Sequence, residues 1–229
     1  MSSINLASQL HAVQHRINQA CESFARKQNT IQLIGASKTK PSTDIRALFN
    51  LGLVHFGENY LNEAIIKQAD LTDLDIIWHY IGQIQSNKTK LIAENFNWVH
   101  GVDRFKIAKR LSEHRPSEKP LNILLQINLD NETSKAGIAP KEAATLAKQV
   151  LALPNVSLRG LMTLPQARDN FNEQKACFLK LKSLQASINQ VLEIQMDTIS
   201  AGMSNDLEAA IAAGSNMVRI GTDLFGARP

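Results

Sequence analysis

The segment that decides the fold is Ile31-Gln32-Leu33-Ile34-Gly35-Ala36-Ser37-Lys38-Thr39-Lys40-Pro41. Residues 31–35 form a short apolar run that predicts a buried strand, and Pro41 prevents that strand from continuing. Lys38 therefore lies in a polar loop at the carboxyl end of the strand. Most lysines in such a position are solvated loop residues. A lysine held near a low-dielectric interior can instead lose its proton and form an imine with an aldehyde.

The same order of strand, polar loop and helix recurs along the chain, after an amphipathic helix over residues 6–24. The predicted strands are residues 31–35, 54–58, 76–81, 98–102, 121–127, 156–162, 194–200 and 217–220. The predicted helices between them are residues 42–51, 61–69, 87–96, 104–114, 141–153, 171–191 and 206–213. This alternation predicts an α/β protein, a single (β/α)8 TIM-type barrel domain over residues 1–229 with an extra N-terminal helix. A doubly wound open sheet is the alternative, but it rarely needs eight such units in so few residues.

The bulk properties indicate a soluble globular protein, with 44% hydrophobic and 20% charged residues in 229. Cys21 and Cys177 lack metal-ligand spacing, so we expect no metal site and free thiols in a reducing compartment. The first residues lack the pattern of a signal peptide, and no apolar run approaches the roughly 20 residues that cross a bilayer. We therefore expect a cytoplasmic protein with no membrane partner.

The basic residues exceed the acidic ones, which gives a net charge of +4 and invites a nucleic-acid hypothesis. They are scattered over amphipathic helices and are not interleaved with aromatic residues, which make up only 5% of the chain. Solvated helix faces explain this pattern better than a groove that follows a phosphate backbone. We expect no nucleic-acid partner.

Two loops at the predicted mouth of the barrel have the composition of a phosphate site. Barrel enzymes place their sites at the carboxyl ends of the strands, and phosphate is often bound after strands seven and eight. Residues 200–206 follow strand seven, where Gly202 permits close backbone approach and Ser204 or Asn205 can cap the next helix. Gly221 and Thr222 follow strand eight. Routine helix capping plus a turn is the alternative explanation for either loop.

Arg219 lies within the eighth predicted strand, two residues before Gly221. A buried arginine must be paired or face the mouth of the barrel. A structural ion pair is one explanation, and contact with a ring nitrogen of a bound ligand is the other. An imine-forming lysine, a phosphate site and this arginine together point to pyridoxal 5′-phosphate (PLP).

Several long motifs then occur in one order along nearly the whole chain. They are residues 37–41, 56–60, 78–88, 134–137, 160–162, 202–206 and 219–226. On these motifs the chain resembles the pyridoxal phosphate homeostasis protein family, whose barrel is similar to the N-terminal domain of alanine racemase. The resemblance implies a fold-type III PLP barrel without the C-terminal β-domain.

The resemblance also implies a set of cofactor-binding residues. They are Lys38, Asn59, Met162, Ser200, Gly202, Met203, Ser204, Arg219, Gly221 and Thr222. In this arrangement Lys38 carries the internal aldimine, Arg219 faces the pyridine nitrogen, and Asn59 lies near the ring. The phosphate is surrounded by Ser200, Gly202, Ser204, Gly221 and Thr222, and Met162 lines the pocket.

Four further residues need an explanation beside this set. Tyr80 stands where the family commonly has phenylalanine, and Asp223 stands where a small residue is frequent. Asp223 brings a negative charge close to the phosphate loops. Lys40 and Lys135 are either solvated loop lysines or participants in cofactor transfer.

An arginine beside the ring nitrogen opposes protonation there, and an unprotonated ring stabilises a carbanion less well. In alanine-racemase-like enzymes the second catalytic base comes from a C-terminal domain, whereas this chain stops at Pro229 after strand eight. We therefore expect a monomeric carrier that buffers or delivers PLP in intracellular PLP homeostasis, with no catalytic residues and with PLP-dependent apoenzymes as recipients. The alternatives are a small PLP-dependent amino-acid racemase and a barrel that binds another phosphorylated metabolite.

Overall fold

The computed structural model describes residues 5–116, 118–130 and 136–227. The strands are β1 (Gln32–Ala36), β2 (His55–Glu58), β3 (Ile77–Tyr80), β4 (Trp98–Val102), β5 (Leu121–Ile127), β6 (Val156–Thr163), β7 (Thr198–Ser200) and β8 (Met217–Ile220). The helices are α1 (Leu6–Ser23), α2 (Ser42–Asn50), α3 (Leu61–Asp70), α4 (Thr89–Asn95), α5 (Phe105–His114), α6 (Ala143–Leu151), α7 (Phe171–Leu192), α8 (Leu207–Ala212) and α9 (Thr222–Phe225). Short 3-10 turns precede β1, α4 and α6.

The eight strands form one closed parallel barrel in chain order. The closure is made by β1 and β8, where Ile34 lies opposite Arg219 and Gly35 opposite Ile220. The predicted (β/α)8 barrel with its extra N-terminal helix is therefore confirmed, and the open-sheet alternative is wrong. β4, β5 and β8 have the predicted bounds.

The prediction was least accurate around β7 and after β8. β7 covers only Thr198–Ser200, because the residues before it are bonded to the end of α7. Ile194 N donates to the carbonyl of Asn189 at 3.0 Å, and Met196 N donates to Asn189 Oδ1 at 2.9 Å. The short helix α9 was not predicted at all.

The barrel has a core on each side of its wall, which explains the continuous apolar runs in the strands. A large cluster lies between the strands and the surrounding helices. A second, separate cluster draws its members from five strands, which places it inside the barrel. It consists of Ile34, Trp98, Leu124, Met162 and Met217. None of the helices in the described ranges is long and apolar enough to cross a membrane.

Gly160 marks the tightest approach in the barrel wall. The pairing of β5 with β6 skips one residue just before Gly160. A Cβ on Gly160 would lie 1.7 Å from the carbonyl oxygen of Thr198 on β7. Only glycine fits between these two strands without moving backbone.

We expect Gly160→Ala to lower the free energy of unfolding by about 3 kcal/mol or more, because β6 and β7 must separate to admit the methyl group. Gly221→Ala is the matched control, since its Cβ would meet Ala36 O at an ordinary 3.4 Å. Urea denaturation measures both variants. Equal unfolding midpoints would contradict this account of the barrel wall.

Candidate functional site

The closed barrel brings the carboxyl ends of all eight strands to one mouth. Lys38 follows β1 and is half-buried, and Asn59 follows β2. Gly202, Met203 and Ser204 follow β7, and Gly221 and Thr222 follow β8. Because β1 pairs with β8, the Lys38 loop and the Gly221 loop are neighbours although they lie far apart in sequence.

Lys38 is held in a tight turn whose backbone is strained. Lys40 N donates to the carbonyl of Ser37 at 3.0 Å, which closes the turn. Thr39 has a φ of +64°, which is rare for a β-branched residue. Its N–H donates to Glu63 Oε1 at 2.6 Å, so a side chain of α3 compensates for the strain.

A buried ionic cluster lies directly beneath this turn. The Nζ of Lys67 donates to Ser37 O at 2.7 Å, to Glu58 Oε1 at 2.7 Å and to Glu63 Oε1 at 2.5 Å. Burial raises the pKa of Glu58, although hydrogen bonds from Lys67 and Ser37 oppose that rise. Sequence reasoning missed Lys67, for which the one local signal was its i, i+4 spacing from Glu63.

Two buried oxygens at the mouth have no hydrogen-bond partner within the described ranges. They are Glu58 Oε2 and Asn59 Oδ1. Buried polar atoms in folded proteins are nearly always hydrogen-bonded. Asn59 Oδ1 is therefore an acceptor that a donor from a bound group or from water can satisfy.

Arg219 is 4% exposed and lies inside the barrel. Its Nη1 donates to Ser200 Oγ at 2.5 Å, and its Nη2 donates to the carbonyl of Thr163 at 3.0 Å. Burial lowers its pKa to about 10, while the charge of Asp206 acts in the opposite direction. Within the described residues no carboxylate forms an ion pair with Arg219, so the structural ion-pair explanation finds no support there.

The side chain of Ser200 is hydrogen-bonded to two residues inside the barrel. Its Oγ lies 2.9 Å from His100 Nδ1 as well as accepting from Arg219. The side chain of Ser200 thus supports the arginine, and its place beside a phosphate stays a prediction. Met162 is likewise fully buried, in the cluster inside the barrel.

The loop after β7 is built differently from the sequence expectation. Gly202 has a φ of +99°, and a Cβ there would lie 2.7 Å from Ala210 Cβ, so the glycine admits α8. The predicted cap of α8 by Ser204 or Asn205 is wrong. Asp206 occupies the cap position, and its Oδ1 accepts the N–H of Met203 at 2.6 Å.

Arg16 of α1 ties the loops after β7 and β8 together, and sequence reasoning missed it. Its Nη2 donates to Ser204 O at 2.8 Å, and its Nη1 pairs with Asp223 Oδ2 at 2.5 Å. Its Nε also pairs with Glu208 Oε1 at 2.7 Å. Arg16 thereby compensates the negative charge that Asp223 brings close to these two loops.

The other lysines considered from sequence have different outcomes. Lys40 Nζ donates to Phe225 O at 2.9 Å and to Ala227 O at 3.0 Å, so it fastens the segment after α9. Lys135, with Ser134, lies outside the described residues. Within the described ranges no group of three or more histidine, cysteine, aspartate or glutamate side chains is placed to hold a metal ion.

Comparison with known proteins identifies the relatives of this chain. The family model described as "Alanine racemase, N-terminal domain" matches residues 8–229. A pyridoxal phosphate homeostasis protein of Pseudomonas aeruginosa is 50% identical over 224 residues, covering 97% of this chain and 96% of that protein. The protein of the same name from Escherichia coli K12 is 42% identical, covering 98% of this chain and 97% of that protein.

Solved structures agree with the sequence comparison. PipY of Synechococcus elongatus bound to PLP has 32% identity and a TM-score of 0.84, covering 97% of this chain and all of PipY. Alanine racemase of Clostridium difficile has 16% identity and a TM-score of 0.75, which shows a shared fold, and only 57% of that chain is covered. The chain belongs to the pyridoxal phosphate homeostasis protein family, whose barrel is that of the alanine racemase N-terminal domain.

Proposed function

We propose that this protein binds PLP through Lys38 and buffers or delivers it within the cell. The observation that carries the proposal is the placement of Lys38 at the end of β1, beside the strand that holds the buried cation Arg219. A family member that is 32% identical over 97% of this chain has been solved with PLP bound.

The residues at the mouth fit this cofactor. When bound, PLP supplies an aldehyde that reacts with amines and an electron-withdrawing pyridine ring. Lys38 would hold the cofactor through its Nζ, because an amine is the nucleophile that such an aldehyde requires. Asn59 Oδ1 offers an unpartnered acceptor, and Arg219 opposes protonation of a ring nitrogen placed against it.

The phosphate group is assigned to the loops after β7 and β8. Met203 and Thr222 are exposed there, Ser204 and Gly221 are half-buried, and Gly202 is buried. Arg16 supports this assignment because it neutralises Glu208 and Asp223, two carboxylates that would otherwise repel an anion.

A carrier role is favoured over racemisation. A charged guanidinium opposite the ring nitrogen keeps that nitrogen unprotonated and weakens the ring as an electron sink. The names of the curated relatives refer to homeostasis of the cofactor. We further propose a cytoplasmic monomer that passes PLP to PLP-dependent apoenzymes.

Lys38→Ala should abolish the visible absorption band of the protein reconstituted with PLP, because no other described lysine occupies its position at the mouth. Lys40→Ala is the matched control and should keep the band, since Lys40 Nζ donates to the backbone carbonyls of Phe225 and Ala227. Borohydride reduction followed by peptide mapping locates the attached lysine. A label on another lysine would contradict the assignment, and no label at all would favour a different phosphorylated ligand.

Amino-acid turnover distinguishes the carrier from a racemase. We expect the reconstituted protein to racemise alanine and serine no faster than Lys38→Ala does, when both are assayed by chiral chromatography. Steady turnover that is lost in Lys38→Ala would make the protein a racemase.

Lys67→Met should cost about 3–5 kcal/mol of stability, because it leaves the buried carboxyl group of Glu58 without its cation. It should also slow loading with PLP, since the turn that carries Lys38 loses its support at Ser37 O. The double variant Glu58→Gln/Lys67→Met should recover most of the stability, as it removes the carboxyl group that has lost its partner. Urea denaturation of the wild type, Glu58→Gln, Lys67→Met and the double variant measures the coupling between the two residues. Additive losses in the free energy of unfolding would show that the pair is not coupled.

A further inference from the structure

A row of three histidines runs through the inside of the barrel below Arg219. His100 Nδ1 lies 2.9 Å from Ser200 Oγ, and His100 Nε2 lies 2.9 Å from His79 Nδ1. His79 Nε2 in turn lies 2.9 Å from His55 Nδ1. His79 and His100 are fully buried, whereas His55 at the start of β2 is half-buried. We call these three residues the histidine column.

Arg219 determines the direction of every hydrogen bond in the column. A guanidinium only donates, so Ser200 Oγ accepts from Arg219 Nη1. Arg219 and His100 are the hydrogen-bond partners of this hydroxyl within the described ranges, so its own proton goes to His100 Nδ1. A neutral His100 then carries its proton on Nε2 and donates it to His79 Nδ1. By the same rule, His79 donates from Nε2 to His55 Nδ1.

The column is uncharged near neutral pH, as this pattern requires. Burial lowers the pKa of His79 and of His100 well below the ordinary value for histidine. Burial lowers the pKa of His55 to about 4. A protonated imidazole in the middle of the row would have a donor on each nitrogen, and one of them would then face another donor.

The surroundings keep the rings of the column in place. The Trp98 ring stacks on His79 with centroids 5.7 Å apart and an interplanar angle of 12°. The guanidinium of Arg159 covers Trp98 at 5.2 Å from the ring centroid. Because these side chains stand on rigid strands and are fixed by stacking, they lose little conformational entropy when their hydrogen bonds are held in one direction.

We propose that the histidine column positions Arg219 by holding three Nε2–H tautomers in line, with every lone pair directed towards the guanidinium. The aligned ring dipoles add to the charge of Asp206 in compensating a buried guanidinium that forms no direct ion pair with a carboxylate in the described part of the chain. The simpler alternative is that the three histidines only fill the polar interior of the barrel. In that case their hydrogen bonds need not all point in the same direction. The consequence for the cofactor rests on the proposed function: the column keeps a cation fixed where the ring nitrogen lies.

The first test uses the protein without any cofactor. Two-bond ¹H–¹⁵N correlation spectra distinguish Nε2–H from Nδ1–H imidazoles, and single His→Gln variants assign the three signals. We expect Nε2–H at His55, His79 and His100, and mixed tautomers at His79 and His100 in Arg219→Met, which removes the source of the direction. Nδ1–H at any of the three in the wild type, or an unchanged pattern in Arg219→Met, would overturn the proposal.

The second test uses a matched pair at the centre of the column. His100→Gln retains one acceptor and one donor, whereas His100→Leu retains neither. We expect His100→Leu to weaken PLP binding at least about tenfold and to shift the absorption band, and His100→Gln to stay within about threefold of the wild type. Wild-type affinity and band position in His100→Leu would overturn the positioning role.

A substitute variant covers the case in which His100→Leu does not fold, and one outcome separates this proposal from the proposed function. If His100→Leu does not fold, Ser200→Ala breaks the same link by removing a single oxygen, and mixed tautomers at His100 are then expected in the cofactor-free protein. A wild-type protein that binds no PLP would contradict the proposed function alone. The tautomer pattern of the cofactor-free protein would then still decide whether the column exists.

Discussion

The structure depends on the burial of one positive charge inside a closed barrel. Arg219 is 4% exposed, and its guanidinium is bonded to a hydroxyl and a backbone carbonyl. Moving an ion out of water is expensive, so the groups around it must be arranged to recover that cost. The carbonyl of Thr163 and the hydroxyl of Ser200 accept its hydrogen bonds, and the negative charge of Asp206 favours its charged form.

This constraint extends to both ends of the barrel. Towards the mouth, a fixed cation opposes protonation of any ring nitrogen placed against it. Away from the mouth, the cation requires acceptors in a consistent direction, and the neutral histidines of β2, β3 and β4 meet that requirement. The same residue thus links the chemistry of the site to the packing of the interior.

The features that could be predicted from sequence are those with a local signal. Apolar runs such as residues 121–127 and 217–220 gave strand bounds that agree with the structure, because both faces of a barrel strand are buried. Lys38, Arg219 and the two loops could be singled out by their place at strand ends. Arg16 contacts residues that lie 188–207 positions away in the sequence. Contacts between such distant residues produce no periodic pattern, so they could not be predicted. The alignment of His55, His79 and His100 depends on the barrel register, which strand prediction does not provide.

The pairing of β1 with β8 also has a consequence for the synthesis of the protein. Lys38 follows the first strand and Arg219 lies in the last, so these two residues are separated by almost the whole chain. A nascent chain on the ribosome that lacks β8 has neither a closed barrel nor the buried cation. Folding that depends on such distant contacts is slow, and the earlier strands wait with an unpaired edge. The two sides of the barrel mouth therefore come together only after the last strand has been translated.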